Sequence, residues 1–160
     1  MRYYWDLIKH FFVSNSRHGT HSPFVYGLAS NVIYQNSLAQ PAKVNWPRDY
    51  NPSYRQLLSD ILAYLNVGRL SELPPENAAK ALWVDLQALD TVELLSAVRD
   101  GKILVVHEPF KTSATKKKWE ELIKAEEVTV SINLFHFGLL LYREGQRKEN
   151  FVLRYPFWRR

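Results

Sequence analysis

The chain has 160 residues, of which 46% are hydrophobic and 14% aromatic, so it can bury the core of one domain and is too apolar for global disorder. It has no cysteine, which excludes disulfide bonds and thiolate metal sites and fits a reducing compartment. The formal net charge of +5 permits weak attraction to nucleic acid or anionic lipid.

Residues 3–13 carry apolar side chains at helical spacing and predict an amphipathic helix. The apolar stripe is Tyr4, Leu7, Ile8, Phe11 and Phe12, with Tyr3 and Trp5 beside it. We interpret this aromatic helix as packing in the core or at a dimer interface. The alternative is binding to a membrane surface, although the polar face, with Arg2, Asp6, Lys9 and His10, carries few basic residues.

The same N-terminal residues bear on where the protein resides. Charged residues interrupt the first 15 positions, so we read no signal peptide. No stretch approaches the roughly 18–20 apolar residues that span a bilayer. We therefore expect a cytoplasmic protein without a transmembrane segment.

Two further helices are predicted before the first strand. Ser22-Pro23 is a typical helix start, with a serine cap and proline at the first helical position, and the helix should run to about Tyr34. Residues 53–65 predict the next helix. We expect Asn66-Val67-Gly68 to form its C-terminal stop, because glycine tolerates the left-handed conformation. Residues 70–73 predict a short strand.

From residue 81 onward, strands and helices alternate. Strands are predicted at residues 81–86, 102–106, 128–134, 137–142 and 151–155. One helix is predicted from the Asp90 cap to residue 98, and another at residues 113–126. Strand–helix–strand crossovers of this length give parallel pairs. The last three strands have short links, so we expect them to pair as antiparallel hairpins. The result is a mixed sheet with a parallel core and an antiparallel edge.

The short segment before these strands limits what the sheet can contain. Seven residues separate Leu73 from Ala81, whereas a strand–helix–strand unit needs about 30. Two strand–helix units of a complete nucleotide-binding sheet are therefore missing. The six glycines include no G-x-G pair that would let the backbone approach a cofactor.

Local sequence suggests a family. Residues 17–25, RHGTHSPFV, resemble the N-terminal HG-x-HSPFV signature of small bacterial class I S-adenosylmethionine-dependent methyltransferase-like proteins, and residues 128–155 resemble their C-terminal hairpin. Residues 83–86, WVDL, are similar to a family strand ending F-I-D-G, with Asp85 kept and the glycine replaced. His107-Glu108 stands where the family has an acidic pair.

The resemblance implies a reduced Rossmann-like methyltransferase fold. An N-terminal helical arm and loop would occupy residues 1–49 and the α/β domain residues 50–160, forming one globular unit. A parallel core followed by an antiparallel hairpin is the usual ending of these enzymes, although a likeness of fold alone says little about function.

The departures from the family shape the functional interpretation. We expect a methyltransferase-like protein that has lost S-adenosylmethionine binding and acts as a binding or scaffold module, as a homo-oligomer or with a protein partner. No cofactor is expected. The first alternative is an active methyltransferase, with S-adenosylmethionine bound in a non-standard site or one completed by a partner. The second is a protein that binds nucleic acid or an anionic surface.

His107 and Glu108 are the weak catalytic candidates, together with Asp85. They follow a parallel strand at the end where open α/β sheets bind ligands. A histidine there could act as a general base, and the set with Asp85 could bind a metal. The alternative is a loop whose polar residues cap the next helix or face water.

His18 and His21 are candidates for a substrate loop. Two histidines alone are too few ligands for a metal site. Anchoring of the N-terminal arm is the plainer interpretation, and contact with a substrate is the other. The sequence has no nucleophile elbow, Ser-His-Asp order or phosphate-binding loop, so the usual motifs of acyl and phosphoryl transfer are absent.

Basic residues form two clusters, which comprise Lys111, Lys116, Lys117 and Lys118, and Arg154, Arg159 and Arg160. Acidic residues interrupt the first cluster, which favours a solvated surface over a nucleic-acid face. The aromatic and basic C-terminus, residues 156–160, would dock on a partner or fray.

Overall fold

The structure is a computed structural model that describes residues 2–15, 22–35, 44, 46, 52–72 and 79–159. The helices are α1 (Arg2–Val13), α2 (Pro23–Leu28), α3 (Arg55–Tyr64), α4 (Thr91–Arg99) and α5 (Ser113–Leu122). The strands are β1 (Leu70–Ser71), β2 (Ala81–Asp85), β3 (Ile103–His107), β4 (Val130–Asn133), β5 (Phe137–Leu141) and β6 (Glu149–Val152). The predicted extension of the first strand to Leu73 lies outside the described residues.

The six strands form one mixed sheet in the order β1-β2-β3-β5-β4-β6. Strands β1, β2 and β3 are parallel, and β5 is antiparallel to both of its neighbours, β3 and β4. The prediction of a mixed α/β chain with parallel strands and an antiparallel hairpin is confirmed.

The expectation that all three final strands form hairpins is wrong for β6. Both edges of β5 are already hydrogen-bonded, to β3 and to β4. After β5 the chain reverses and adds β6 to the outer edge of β4, parallel to it, with Ile132 opposite Phe151. The short link between β5 and β6 therefore predicts that the chain reverses direction, but it does not predict which strand β6 pairs with.

Alternation along the strands divides the core between two faces of the sheet. Val105 of β3 lies in the cluster formed with α2 and α3, and its neighbours Leu104 and Val106 lie in the cluster formed with α4 and α5. Strand side chains point to opposite faces in turn, so both faces of this sheet are covered by helices. This arrangement leaves the ends of the strands as the place for a site.

The start of α2 and the C-terminus of α3 are each determined by one local feature. The Ser22 hydroxyl accepts a hydrogen bond from the Val25 amide at 3.5 Å, which confirms the predicted start, and α2 continues as a π-helical turn over Ala29–Ile33. Helix α3 ends at Tyr64, next to the predicted stop at Asn66-Val67-Gly68, but the glycine is not its left-handed residue. Asn66, with φ of 55°, takes the left-handed conformation instead of Gly68. Asparagine is one of the few residues that tolerate it.

The starts of α4 and α5 also differ. Asp90 is the N-cap residue of α4, as predicted, but its side chain makes no capping hydrogen bond. Thr112 and Thr115 cap α5 reciprocally through side chain and backbone. This helix ends at Leu122, one turn before the predicted end at residue 126.

The N-terminal segment covers the outer edge of β6. The Asn15 amide donates to the Val152 carbonyl at 2.8 Å, and the Arg154 amide donates to the Asn15 carbonyl at 3.1 Å. Natural proteins commonly cover a sheet edge in this way, because unpaired strands invite pairing with other chains. In the described residues, no helix combines the length and apolarity needed to cross a membrane.

The C-terminal segment packs on its own chain. The Arg159 guanidinium is buried, pairs with the Asp60 carboxylate of α3 and donates to the Val32 carbonyl at 2.5 Å. The Trp158 ring lies 6.4 Å from the Tyr34 ring, centroid to centroid. The interpretation of this end as fraying is therefore wrong for Arg159, and docking of the C-terminus on a partner stays a prediction.

Candidate functional site

Asp85 and His107 stand side by side at the carboxyl ends of β2 and β3, as partners in the parallel register. His107 Nδ1 is hydrogen-bonded to the Tyr54 hydroxyl, and the imidazole lies 5.4 Å from the Trp83 ring. Burial lowers the pKa of His107. One carboxylate oxygen of Asp85 accepts the Gln87 amide at 2.9 Å. Asp85 and His107 are thus each hydrogen-bonded to another residue of the chain.

Glu108 forms its contacts with a different part of the chain. One carboxylate oxygen accepts the Tyr3 hydroxyl at 3.2 Å, and the other lies 3.4 Å from His136 Nδ1. The Glu108 backbone has a φ of 40°, in the left-handed region that ordinary residues rarely adopt. Its amide donates to the His136 carbonyl at 2.9 Å, which holds this turn against the loop between β4 and β5.

The three predicted residues do not form a metal site. Among the described residues, no group of three or more histidines and carboxylates is placed to hold a metal ion. Asp85 and Glu108 instead accept hydrogen bonds from Gln87 and Tyr3. In the described residues, the carboxylates of Asp85 and Glu108 are thus engaged within the chain, and the structure offers no support for a metal site here. His18 and His21 lie outside the described residues.

Helix α1 lies across this end of the sheet, which the sequence did not predict. Tyr3 bonds to Glu108 after β3, the Asp6 carboxylate accepts from Lys116 of α5 at 2.6 Å, and His10 Nε2 lies 3.3 Å from the Asn133 carbonyl at the end of β4. These three side chains are spaced three and four residues apart, on one helical face. Polar bonds therefore attach α1 to three separate elements.

The orientation of α1 is the reverse of the predicted one. Asp6 and His10, assigned to the polar outer face, point inward, with an exposed fraction of 12% for the Asp6 side chain and 7% for His10. Besides Arg2 and Lys9, which stay outside as predicted, the exposed side chains are apolar or aromatic: Tyr4, Trp5, Ile8, Phe11, Phe12 and Val13. Core packing is therefore the wrong interpretation for most of the aromatic residues of this helix.

Phe135 fills the space beneath α1. Its side chain is fully buried, stacks on Phe110 at 5.3 Å between ring centroids, and meets the Tyr3 and His10 rings edge-on. Its φ of 69° is unusual for an aromatic residue, and the Asn133 side chain stabilises the turn by accepting the Phe135 amide at 2.9 Å.

The space that remains next to Phe135 is small. A cavity of about 200 Å³ lies among Asp6, His10, Phe110 and Phe135. Sites for cofactors and drug-sized ligands usually measure roughly 300–1,000 Å³. This cavity is therefore too small for a nucleoside cofactor unless α1 moves.

The site is built from neutral groups as much as from charged ones. Burial and the neighbouring Glu108 carboxylate raise the pKa of the Tyr3 phenol, so Tyr3 remains a hydrogen-bond donor at neutral pH. Burial lowers the pKa of His10, which favours its neutral form. Tyr3, His10, Tyr54 and His136 were not singled out from the sequence as members of this site.

Comparisons with known proteins do not assign this arrangement. No protein-family model matches the chain, and neither a curated protein nor a solved structure is significantly similar to it.

Internal partners engage much of the two basic clusters. Lys116 pairs with Asp6, and Lys118 donates to the Leu86 and Leu89 carbonyls at 2.8 Å each. Arg159 is buried with Asp60. Lys117 and Arg154 remain exposed, so the prediction of a nucleic-acid or anionic-surface partner stays a prediction.

Stability should decrease as the pH falls below about 6.5, the ordinary histidine pKa. His10 and His107 both have lowered pKa values in the folded protein, so in this window the unfolded chain binds more protons. Stability is complete above the unfolded pKa and is lost as the pH falls toward the folded values. Urea unfolding at several pH values would measure the slope.

Two substitutions isolate the histidines responsible. His10→Gln keeps a donor for the Asn133 carbonyl, and His107→Asn keeps an acceptor for the Tyr54 hydroxyl, but neither side chain titrates. Each variant should show a smaller loss of stability between roughly pH 7.5 and pH 5 than the unmodified chain. An unchanged pH slope in both variants would show that other groups cause the effect.

Proposed function

We propose that this chain is a methyltransferase-like protein that does not bind S-adenosylmethionine and acts as a binding or scaffold module. The sheet supports the first part. Three parallel strands are followed by the β4–β5 hairpin, which is the ending expected of a reduced Rossmann-like methyltransferase fold. The RHGTHSPFV segment and Asp85 at the end of β2 are consistent with the same family.

The position of α1 is the observation that carries the proposal. Open α/β sheets bind ligands at the carboxyl ends of their parallel strands. Here Tyr3 of α1 bonds to Glu108 directly after β3, and the buried Phe135 ring occupies the space beside it. A bound nucleoside cofactor would have to displace these contacts.

The length of the chain supports the proposal independently. The segment between Leu73 and Ala81 has seven residues, where a strand–helix–strand unit would need about 30. No further strand–helix unit fits in this segment, regardless of how α1 is placed. Catalysis would require a non-standard cofactor site or a second chain to complete the site.

The proposed module acts by contact with a partner. The exposed apolar face of α1 is the surface that we assign to this contact, whether the partner is a second copy, another protein or a lipid surface. Contiguous apolar surface of this kind marks interaction sites more often than chance exposure.

Thermal unfolding with added ligand tests the loss of cofactor binding. At about a thousand times a micromolar Kd, a ligand of the folded state would add about 4 kcal/mol to the free energy of unfolding. For a chain of this size that raises Tm by roughly 8–16 °C. We expect no shift with S-adenosylmethionine or S-adenosylhomocysteine, and a shift of that size with either would contradict the proposal.

A further inference from the structure

We propose that the exposed face of α1 binds the surface of an anionic lipid bilayer. The inference deepens the proposed function by naming its partner. Its test does not depend on cofactor binding, so either proposal can fail without the other. The surface in question, called here the α1 face, consists of Arg2, Tyr4, Trp5, Ile8, Lys9, Phe11, Phe12 and Val13.

The α1 face is apolar in a way that the rest of the helix is not. The exposed fraction is 79% for Phe12, 70% for Trp5 and 68% for Tyr4. Three polar groups of the helix, on Tyr3, Asp6 and His10, are directed inward, to Glu108, Lys116 and the Asn133 carbonyl. A helix that uses its polar side for internal bonds and presents aromatic rings to solvent is organised for an apolar environment outside the chain.

The charges on and beside this face are complementary to anionic headgroups. Lys9 is exposed on the helix, and the Arg154 guanidinium lies 4.7 Å from the centre of the Phe11 ring. Arg2 is exposed as well, but it donates to the Ser113 hydroxyl and lies 3.8 Å from an Asp6 carboxylate oxygen, so Lys9 and Arg154 are the main cations of this surface. The acid of the helix, Asp6, is 12% exposed and paired with Lys116. Aromatic side chains with flanking cations are typical of helices that lie in the headgroup region, where Trp and Tyr are favoured.

The C-terminal segment also carries exposed aromatic side chains. Tyr34 bonds to the carbonyls of both Asn15 and Arg154, at 3.2 Å each, and its ring lies beside Trp158. Trp158 is 59% exposed and Phe157 41% exposed. These contacts link Asn15, two residues after α1, to a C-terminal segment that carries two further exposed aromatic side chains.

A second copy of the chain fits the α1 face less well. A stable protein interface involves about 20–30 residues on each side, and the α1 face has eight. A symmetric contact would also bring Arg2, Lys9 and Arg154 of two copies together, and like charges oppose association. A bilayer needs no shape complementarity and supplies the opposite charge.

Vesicle co-sedimentation tests the proposal. The full chain is mixed with vesicles of equal parts phosphatidylcholine and phosphatidylglycerol, and separately with pure phosphatidylcholine. We expect binding to the anionic vesicles, at least tenfold weaker binding to the neutral ones, and loss of affinity at high salt, because salt screens the headgroup attraction.

Matched variants locate the contact. The double variant Trp5→Ser/Phe12→Ser should weaken vesicle binding by at least tenfold, since each side chain contributes buried apolar area. The control variant Val92→Ser/Tyr142→Ser removes two exposed apolar side chains elsewhere, at 73% and 52% exposure, and should bind as the unmodified chain does. Unchanged unfolding curves would show that both variants fold.

Three results would overturn the proposal. The first is no binding to anionic vesicles, and the second is binding that Trp5→Ser/Phe12→Ser leaves unchanged. The third is a dimer in solution that this double variant converts to a monomer while vesicles bind neither form, which would assign the α1 face to a second copy.

Discussion

Replacing Arg159 by methionine is expected to lower the free energy of unfolding by about 3–5 kcal/mol. The side chains of Arg159 and Asp60 are 3% and 1% exposed, and the guanidinium also bonds to the Val32 carbonyl. Removing it leaves a buried carboxylate whose described neighbour is Gln56, at 3.3 Å from Oδ1. Since domains are stable by about 5–15 kcal/mol, the variant would be marginal. Urea unfolding measures the difference.

Two comparisons give this prediction its specificity. Arg154→Met removes an exposed arginine that stacks on Phe11, and should change stability by at most about 1 kcal/mol. The double variant Asp60→Leu/Arg159→Met replaces both buried charges by apolar groups and should recover most of the loss. If Arg159→Met were as stable as Arg154→Met, the buried ion pair would not hold the C-terminal segment.

Replacing Gly138 by alanine is expected to lower the free energy of unfolding by about 1–3 kcal/mol. A Cβ at this position of β5 would lie 2.3 Å from Cη2 and 2.6 Å from Cζ3 of Trp119. Trp119 is 2% exposed and packs in the cluster with α4 and α5, so its ring cannot move without displacing neighbours. Chemical unfolding of both proteins measures the change.

Gly68→Ala is the matched control for Gly138→Ala. Nothing lies within 4 Å of a Cβ built at Gly68, so this change should stay within about 0.5 kcal/mol of the unmodified chain. In a Trp119→Leu background, Gly138→Ala should lose most of its effect, because the opposing ring atoms are gone. An equal loss in both backgrounds would mean that the Trp119 ring is not the cause.

Local pattern was sufficient for the elements and for part of the sheet. Residues 81–86, 102–106 and 137–142 are recognisable as strands because short apolar runs are bounded by turns, and the crossover through residues 90–98 determines that β2 and β3 are parallel. The neighbour of β6 was not predictable from a link length. It depends on both edges of β5 being already hydrogen-bonded, to β3 and β4.

The orientation of α1 shows the limit of periodicity most clearly. Helical spacing predicts that Tyr4, Ile8 and Phe11 share a face, but it does not say whether that face is inside. The inward face is decided by bonds from Tyr3, Asp6 and His10 to partners more than 100 residues away in sequence. Those partners become neighbours only when the sheet has formed.

The strand-end rule selected His107 and Glu108 as candidates, but it could not say what they contact. Consecutive residues can point to different neighbours, and the left-handed Glu108 turns toward α1 and the β4–β5 loop. His136 could have been noticed as a histidine in the short link between two predicted strands. No sequence pattern around Tyr3 indicates that it would bond to Glu108.

Isothermal titration calorimetry of the full chain with S-adenosylmethionine, and then with S-adenosylhomocysteine, tests the central claim most directly. With α1 bonded across the carboxyl ends of the strands and seven residues where a strand–helix–strand unit would stand, we predict no binding heat beyond dilution. Binding of either compound at micromolar Kd, with a stoichiometry near one ligand per chain, would contradict the account.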